Sequence, residues 1–232
     1  MIGQDMNRFL PEVALIAALL LQPAQGRAAA LESGPHASAA STSRWWALDC
    51  GQGRRAGSMS PPGCVLTVKV RGRLDASRLH LVEQAIARRD RVARALCRDV
   101  ALRVDVDSPG GEVFEAMEIG RRLRNERASI SVDEGAACIS ACVFLLMGAV
   151  ARDVSDGARV GIHRPSLGGS DGSRPRERAT VDAMAEGIAL YADQMDVPRR
   201  IVDRMMAIPS DRVELLRSSD LAAYGIQPRA RE

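Results

Sequence analysis

The sequence predicts an α/β layered domain of parallel βαβ units, with a mostly parallel sheet and helices packed around it. Three observations predict this. Short apolar runs with period-two alternation recur along the chain, and longer segments with apolar residues at helical spacing lie between them. Glycines and prolines punctuate the joins. The two kinds of segment alternate instead of clustering, which is the pattern that parallel crossover connections leave.

The elements follow in chain order. "VLTVKV" (65–70) is a strand, ended by Gly72. Residues 76–97 set Leu79, Leu81, Val82, Ala85, Ile86, Val92 and Leu96 on one side of an Arg-rich amphipathic helix. "ALRVDV" (101–106) alternates Leu102, Val104 and Val106, so it is a strand. "DSPGG" (107–111) turns the chain into a helix over 112–125, buried through Ala116, Ile119, Gly120 and Leu123. "SISV" (129–132) is the next strand. An apolar run, 134–149, supplies about ten residues of helix. "ARVGIH" (158–163) is a strand, and a polar Gly/Ser/Arg loop covers 165–178. Helical patterns then run to about 207, broken near Pro198. A short helix over 218–225 closes the domain, with Ser218 or Ser219 to cap it and Gly225 at its C-cap.

Composition narrows the function. Hydrophobic residues make up 46% of the 232, enough for a core, and the net charge is only +3. Basic residues are dispersed with no interleaved aromatics, so nucleic acid is not an expected partner. Residues 1–30 read as an export signal: Arg8 before the apolar stretch 13–21, then Ala28-Ala29-Ala30 as a cleavage site. That stretch is shorter than the ~20 residues a bilayer span needs, which favours a cleaved signal over a membrane anchor. Asp5 and Glu12 are atypical of a signal. Residues 31–64 read as a loosely structured lead-in, partly disordered, with Trp45-Trp46 as a docking point on the domain at 65–230. The expected location is periplasmic or secreted.

Export opens the cysteines to disulfide formation. Five are present, and Cys50 and Cys64 bracket a Gly/Pro/Ser-rich loop that a bridge would close. Independent small hydrophobes are the alternative, since spacing does not set connectivity. Cys138 and Cys142 form a lone C-x3-C without a second ligand pair, so no zinc site is expected, and neither is any other metal or cofactor.

Three features at strand ends carry chemistry. Gly110-Gly111 lets backbone N–H groups approach a ligand closely, as an oxyanion hole requires, although Pro-Gly-Gly is also an ordinary turn. Ser140 stands where a strand-like segment meets the apolar helix, where the Ala141 N–H could supply a second donor; a serine there is also a common N-cap. His163 ends a strand and could be a structural histidine or a base.

These motifs together, "DSPGGEVFEAMEIGRRL", "EGAACISACVFLLMGA" and "ARVGIHRPS", resemble the Clp protease proteolytic subunit, and more closely its exported Clp-protease-like relatives. The resemblance covers about residues 65–226 and implies the Clp/crotonase-type spiral, shared with signal peptide peptidase A. It implies Ser140 as nucleophile, His163 as general base, and Gly110, Gly111 and Ala141 as the oxyanion hole. Signal peptide peptidases of this fold use a Ser–Lys pair, but the single lysine, Lys69, lies on a strand before the Gly-Gly turn. A histidine base is therefore expected. The third triad member departs from the family pattern. Asp211 falls about two residues early when Tyr224-Gly225 is aligned, Glu214 lies near the same place, and Asp211 could simply cap a turn after Pro209.

The expected function is an exported serine peptidase-like hydrolase acting on peptides or unfolded chains. The relatives' habits imply a homo-oligomer, with contacts in the helical region 181–207. An exported chain would have no ATPase partner. The rival reading is a non-catalytic binding or assembly module with a degraded site. A coenzyme A-handling crotonase is disfavoured by export.

Overall fold

The computed structural model describes residues 45–50, 63–96, 98–167 and 174–226. All belong to one of the chain's two units, Thr42–Glu232. The export signal over 1–30, its cleavage site, most of the lead-in, Cys97 and the centre of the 165–178 loop lie outside the described residues. No described helix is long and apolar enough to cross a membrane.

Fourteen elements follow in order: β1 (Trp46–Cys50), β2 (Cys64–Arg71), α1 (Ala76–Leu96), β3 (Val100–Asp107), α2 (Val113–Asn125), β4 (Ser129–Val132), β5 (Ala137–Ile139), α3 (Cys142–Gly148), β6 (Ala151–Val154), β7 (Arg159–Ile162), α4 (Pro175–Gln194), α5 (Arg200–Ala207), β8 (Glu214–Leu215) and α6 (Ser218–Ala223). The main sheet runs β1-β2-β3-β4-β6, and β1 alone is antiparallel to its neighbour. A smaller sheet runs β5-β7-β8, with β5 and β7 parallel and β8 antiparallel. The two sheets meet at a single parallel bridge between Ser108 and Cys138.

The long strands form for the reason their sequences suggest. β2 buries Cys64, Leu66, Val68 and Val70, and β3 buries Val100, Leu102, Val104 and Val106, each at period two. Both strands end one residue from their expected limits. The lead-in differs from expectation. Residues 46–50 are a strand that extends the sheet, since Leu48 and its neighbours pair in register with β2 and a Cys50–Cys64 disulfide joins the two strands at Cys50↔Cys64. Trp46 lies under the Arg88 guanidinium of α1, 4.2 Å from ring centroid to carbon, a cation–π contact.

Helix α1 starts at Asp75, whose carboxylate accepts the Ser77 and Arg78 N–H groups and the Ser77 hydroxyl. Those hydrogen bonds, led by the hydroxyl of Ser77, hold the Asp75 carboxyl below its usual range. At the other end of the chain neither Ser218 nor Ser219 caps α6. Its N-cap is Arg217, whose backbone N–H is accepted by the Asp220 carboxylate. Gly225, at φ +69°, follows the C-cap residue Tyr224, and the Ile226 N–H closes onto the Leu221 carbonyl.

Helix α3 is buried on every side, from Cys142 to Gly148. Its last carbonyls need partners inside the protein. Arg152 of β6 supplies them, donating to the carbonyls of Leu146 and Met147 and also to Gly225. Burial holds this guanidinium below its ordinary pKa. The apolar run is thus shorter as a helix than its composition suggests. Its first part, Ala137–Ile139, is strand β5, and the chain reverses at Ser140 and Ala141 before α3 begins.

Candidate functional site

Gly110, Ser140 and His163 all follow the carboxyl ends of strands: β3, β5 and β7 respectively. That end of a parallel sheet is where α/β folds hold ligands. β5 and β7 are parallel neighbours, with Ile139 in register with Gly161. The Ser140 N–H continues the ladder by donating to the Gly161 carbonyl at 2.8 Å, two residues before His163. The nucleophile candidate and the base candidate therefore leave adjacent strands side by side.

Ser140 has φ +57°, in the left-handed region. A non-glycine residue there is costly, by roughly 1–2 kcal/mol, and such strain gathers at functional sites. The conformation lets the chain pass from strand to helix in two residues, and the serine remains only half-buried. Its carbonyl accepts the Val143 N–H at 3.0 Å.

The Gly-Gly turn packs directly on this serine. A Cβ on Gly110, which sits at φ +99°, would lie 2.8 Å from Ser140 Cβ and 2.7 Å from the Ile139 carbonyl oxygen. No side chain fits there. Gly111 is pressed as closely on Leu74, where it forms a bridge that also ties the Gly110 carbonyl and the Glu112 N–H to the Leu74 backbone.

The three oxyanion candidates are not equivalent. The Gly110 N–H donates to the Ser108 hydroxyl at 3.1 Å. The N–H groups of Gly111 and Ala141 donate to no other described residue. They are the donors free to meet a developing negative charge.

His163 is half-buried, and its Nδ1 lies 2.8 Å from the Arg164 carbonyl oxygen. A carbonyl only accepts, so the ring proton of the neutral imidazole sits on Nδ1. Nε2 is left as the lone-pair acceptor, which is the tautomer a general base needs. No hydrogen bond joins His163 to the Ser140 hydroxyl among the described residues; catalytic hydrogen bonds of free enzymes often tighten only with substrate.

Neither acid candidate is hydrogen-bonded to His163 among the described residues, although Glu214 pairs in register with Ile162, the residue before it. Asp211 is exposed within the turn that the Arg212 N–H closes onto the Pro209 carbonyl. Glu214 of β8 is held in a fork-like ion pair with Arg204. Orientation of the imidazole instead falls to the Arg164 carbonyl, and Arg164 is itself anchored by its N–H to the Ile208 carbonyl. Lys69 is exposed on β2, its backbone in register with Asp105 of β3.

Two functional features were missed in the sequence. Ser108 is fully buried and stitches the Gly-Gly turn to β5. Its N–H and carbonyl bond to Ala137 and Ile139, and its hydroxyl takes the Gly110 N–H. The signal was a hydroxyl placed two residues before a glycine that needs a fixed turn. The other is a Cys138–Cys142 disulfide that spans Ser140. Among the described residues no cluster of three or more His, Cys, Asp or Glu could hold a metal.

No protein-family model and no curated protein matches the sequence. Solved structures do. The chain is similar to 1510-N, a membrane-bound stomatin-specific protease, at 19% identity over 71% of this chain and 76% of that one, with a TM-score of 0.53. A second structure of that protease, in complex with a substrate peptide, gives 19% identity, 71% and 72% coverage and a TM-score of 0.53. A mutant of ClpP1 from Listeria monocytogenes matches at 17% identity, over 69% of this chain and 88% of that one, with a TM-score of 0.52. Identities this low establish the fold alone, and by them the chain has a Clp-protease-like fold.

Proposed function

We propose that the chain is an exported serine peptidase-like hydrolase acting on peptides or unfolded chains. The observation that carries this reading is Ser140 in a left-handed turn at the end of β5, beside a β7 that leads into a histidine with its Nδ1 on a carbonyl. In the mechanism, His163 Nε2 takes the Ser140 proton as Oγ attacks the substrate carbonyl. The Gly111 and Ala141 N–H groups receive the oxyanion. The imidazolium then returns its proton to the leaving amine, and water repeats the sequence on the acyl-enzyme. The neighbour solved with a substrate peptide supports a peptide as the ligand class.

A second reading, a binding module on the same fold, is favoured by one observation: among the described residues no carboxylate is hydrogen-bonded to His163. Labelling with a fluorophosphonate decides between them. A folded wild type is expected to label, and His163→Ala to label about 10²–10⁴-fold more slowly, the range general-base catalysis supplies. Folded wild type that stays unlabelled at neutral pH would establish the binding module.

Export is supported by the two disulfides, Cys50–Cys64 and Cys138–Cys142, which persist in oxidising compartments. Mass spectrometry of the native protein is expected to find a mature N-terminus near Leu31, in the envelope or medium. Recovery of the full chain from the cytoplasm would contradict it.

A further inference from the structure

We infer that the Cys138–Cys142 disulfide is the positioning element of the site: it holds Ser140 in its left-handed conformation and so aims the Ala141 N–H. The catalytic consequence rests on the reading of Ser140 as nucleophile; the holding role does not. Cys138 lies in β5 and Cys142 is the first residue of α3, with Cα atoms 5.1 Å apart. The ring they close contains only Ile139, Ser140 and Ala141. Every residue whose backbone shapes the turn is inside it.

The turn has few other restraints. The residue before α3, Ala141, provides no side-chain cap. Two hydrogen bonds fix the Ser140 backbone, its N–H to Gly161 and its carbonyl from Val143. Serine does not favour φ +57° by itself, and Gly110 above it supplies crowding but no tether. The covalent link is what keeps the reversal at Ser140 from relaxing into a continuous extended or helical path.

Loop length separates this role from general stabilisation. Closing a short loop removes little entropy from the unfolded chain, and closing a longer one removes more. The sequence separation is 4 for Cys138–Cys142 and 14 for Cys50–Cys64. The short bond should therefore matter less to global stability than the long one, although it is the one built around the nucleophile. Both of its cysteines are fully buried.

The experiment compares the full chain with Cys138→Ala/Cys142→Ala and, as a control, Cys50→Ala/Cys64→Ala. The inactivation rate constant with a saturable fluorophosphonate is expected to fall at least about tenfold in the first variant, as misplaced catalytic geometry does, with little change in probe affinity. The control is expected to lose more in Tm and nothing in that rate. Hydrogen exchange of the Ser140 and Val143 amides should quicken in the first variant and not in the control. Cys138→Val/Cys142→Ala refills part of the vacated core, should the first variant fail to fold. Unchanged labelling and unchanged exchange would overturn the inference, as would failure of both variants to fold, which would make the bond a global stabiliser. A wild type that does not label, combined with quickened exchange in the variant, would leave the holding role standing and remove the nucleophile reading. Unchanged exchange would overturn the inference in that case too.

Discussion

Ser140→Ala is expected to abolish fluorophosphonate labelling and to leave the protein folded. The probe forms a bond to Oγ, and Ser140 follows β5, the parallel neighbour of the β7 that leads into His163. Alanine keeps the strained backbone at φ +57°, so Tm should barely move. Ser140→Gly is the more informative partner. It also removes Oγ, and it relieves a left-handed conformation that costs other residues roughly 1–2 kcal/mol. The added freedom of the unfolded chain takes back about 0.5–1 kcal/mol. The net is a gain of about 0–1.5 kcal/mol, or a Tm rise of up to about 6 °C in a chain of this size. A serine kept where glycine would be as stable or more so is the stability–activity conflict expected of a functional position. Persisting label on Ser140→Ala would remove Ser140 from the mechanism. A clear fall in Tm for Ser140→Gly would show that the hydroxyl is structural.

The longest elements that read correctly from sequence are those whose burial is periodic. β2 and β3 alternate over eight residues each, and α2 buries Ala116, Met117, Ile119, Gly120 and Leu123 along one face. Those patterns are local and survive without tertiary context. β5, β6 and β8 have three, four and two residues, too few for a period to emerge. β5 was further disguised because "ACI" leads within two residues into the apolar run of α3. The break at Ser140 is conformational, and no glycine or proline marks it. The Cys138–Cys142 bond was not legible either, because spacing does not set connectivity. The order Gly-Gly, Ser, His was legible because each motif sits at a strand end. The orienter of His163 was not, because a backbone carbonyl has no sequence signature; only its geometry identifies it.

Gly120→Ala is expected to destabilise the fold more than any substitution at Ser140 or His163. A Cβ at Gly120 would lie 1.8 Å from Tyr191 Oη and 2.7 Å from the Phe144 carbonyl oxygen. A Cβ on Gly148 would in turn lie 2.3 Å from the Gly120 carbonyl oxygen, so α2 and α3 meet backbone to backbone at these two glycines. Tyr191 of α4 seals the contact. Its hydroxyl donates to the Phe144 carbonyl at 2.7 Å, its ring meets Phe144 edge-on at 5.9 Å, and burial pushes its phenol well above the usual pKa. Overpacking costs about 1–3 kcal/mol where side chains can yield, and more where backbone must move. A loss of about 3 kcal/mol or more is expected at this contact, lowering Tm by about 6–12 °C. Tyr191→Phe alone should cost about 1 kcal/mol, the hydrogen bond. Combined with Gly120→Ala it removes the nearest clashing atom, so the double variant should be more stable than the sum of the two by about 1 kcal/mol. The contact also spaces the helices that begin beyond Gly111 and Ala141, the two free N–H donors. Labelling of Ser140 should therefore slow in Gly120→Ala and recover in part in the double variant. A Gly120→Ala protein as stable as wild type would show that α2 and α3 can separate freely. The spacing of the oxyanion donors could then not depend on that contact.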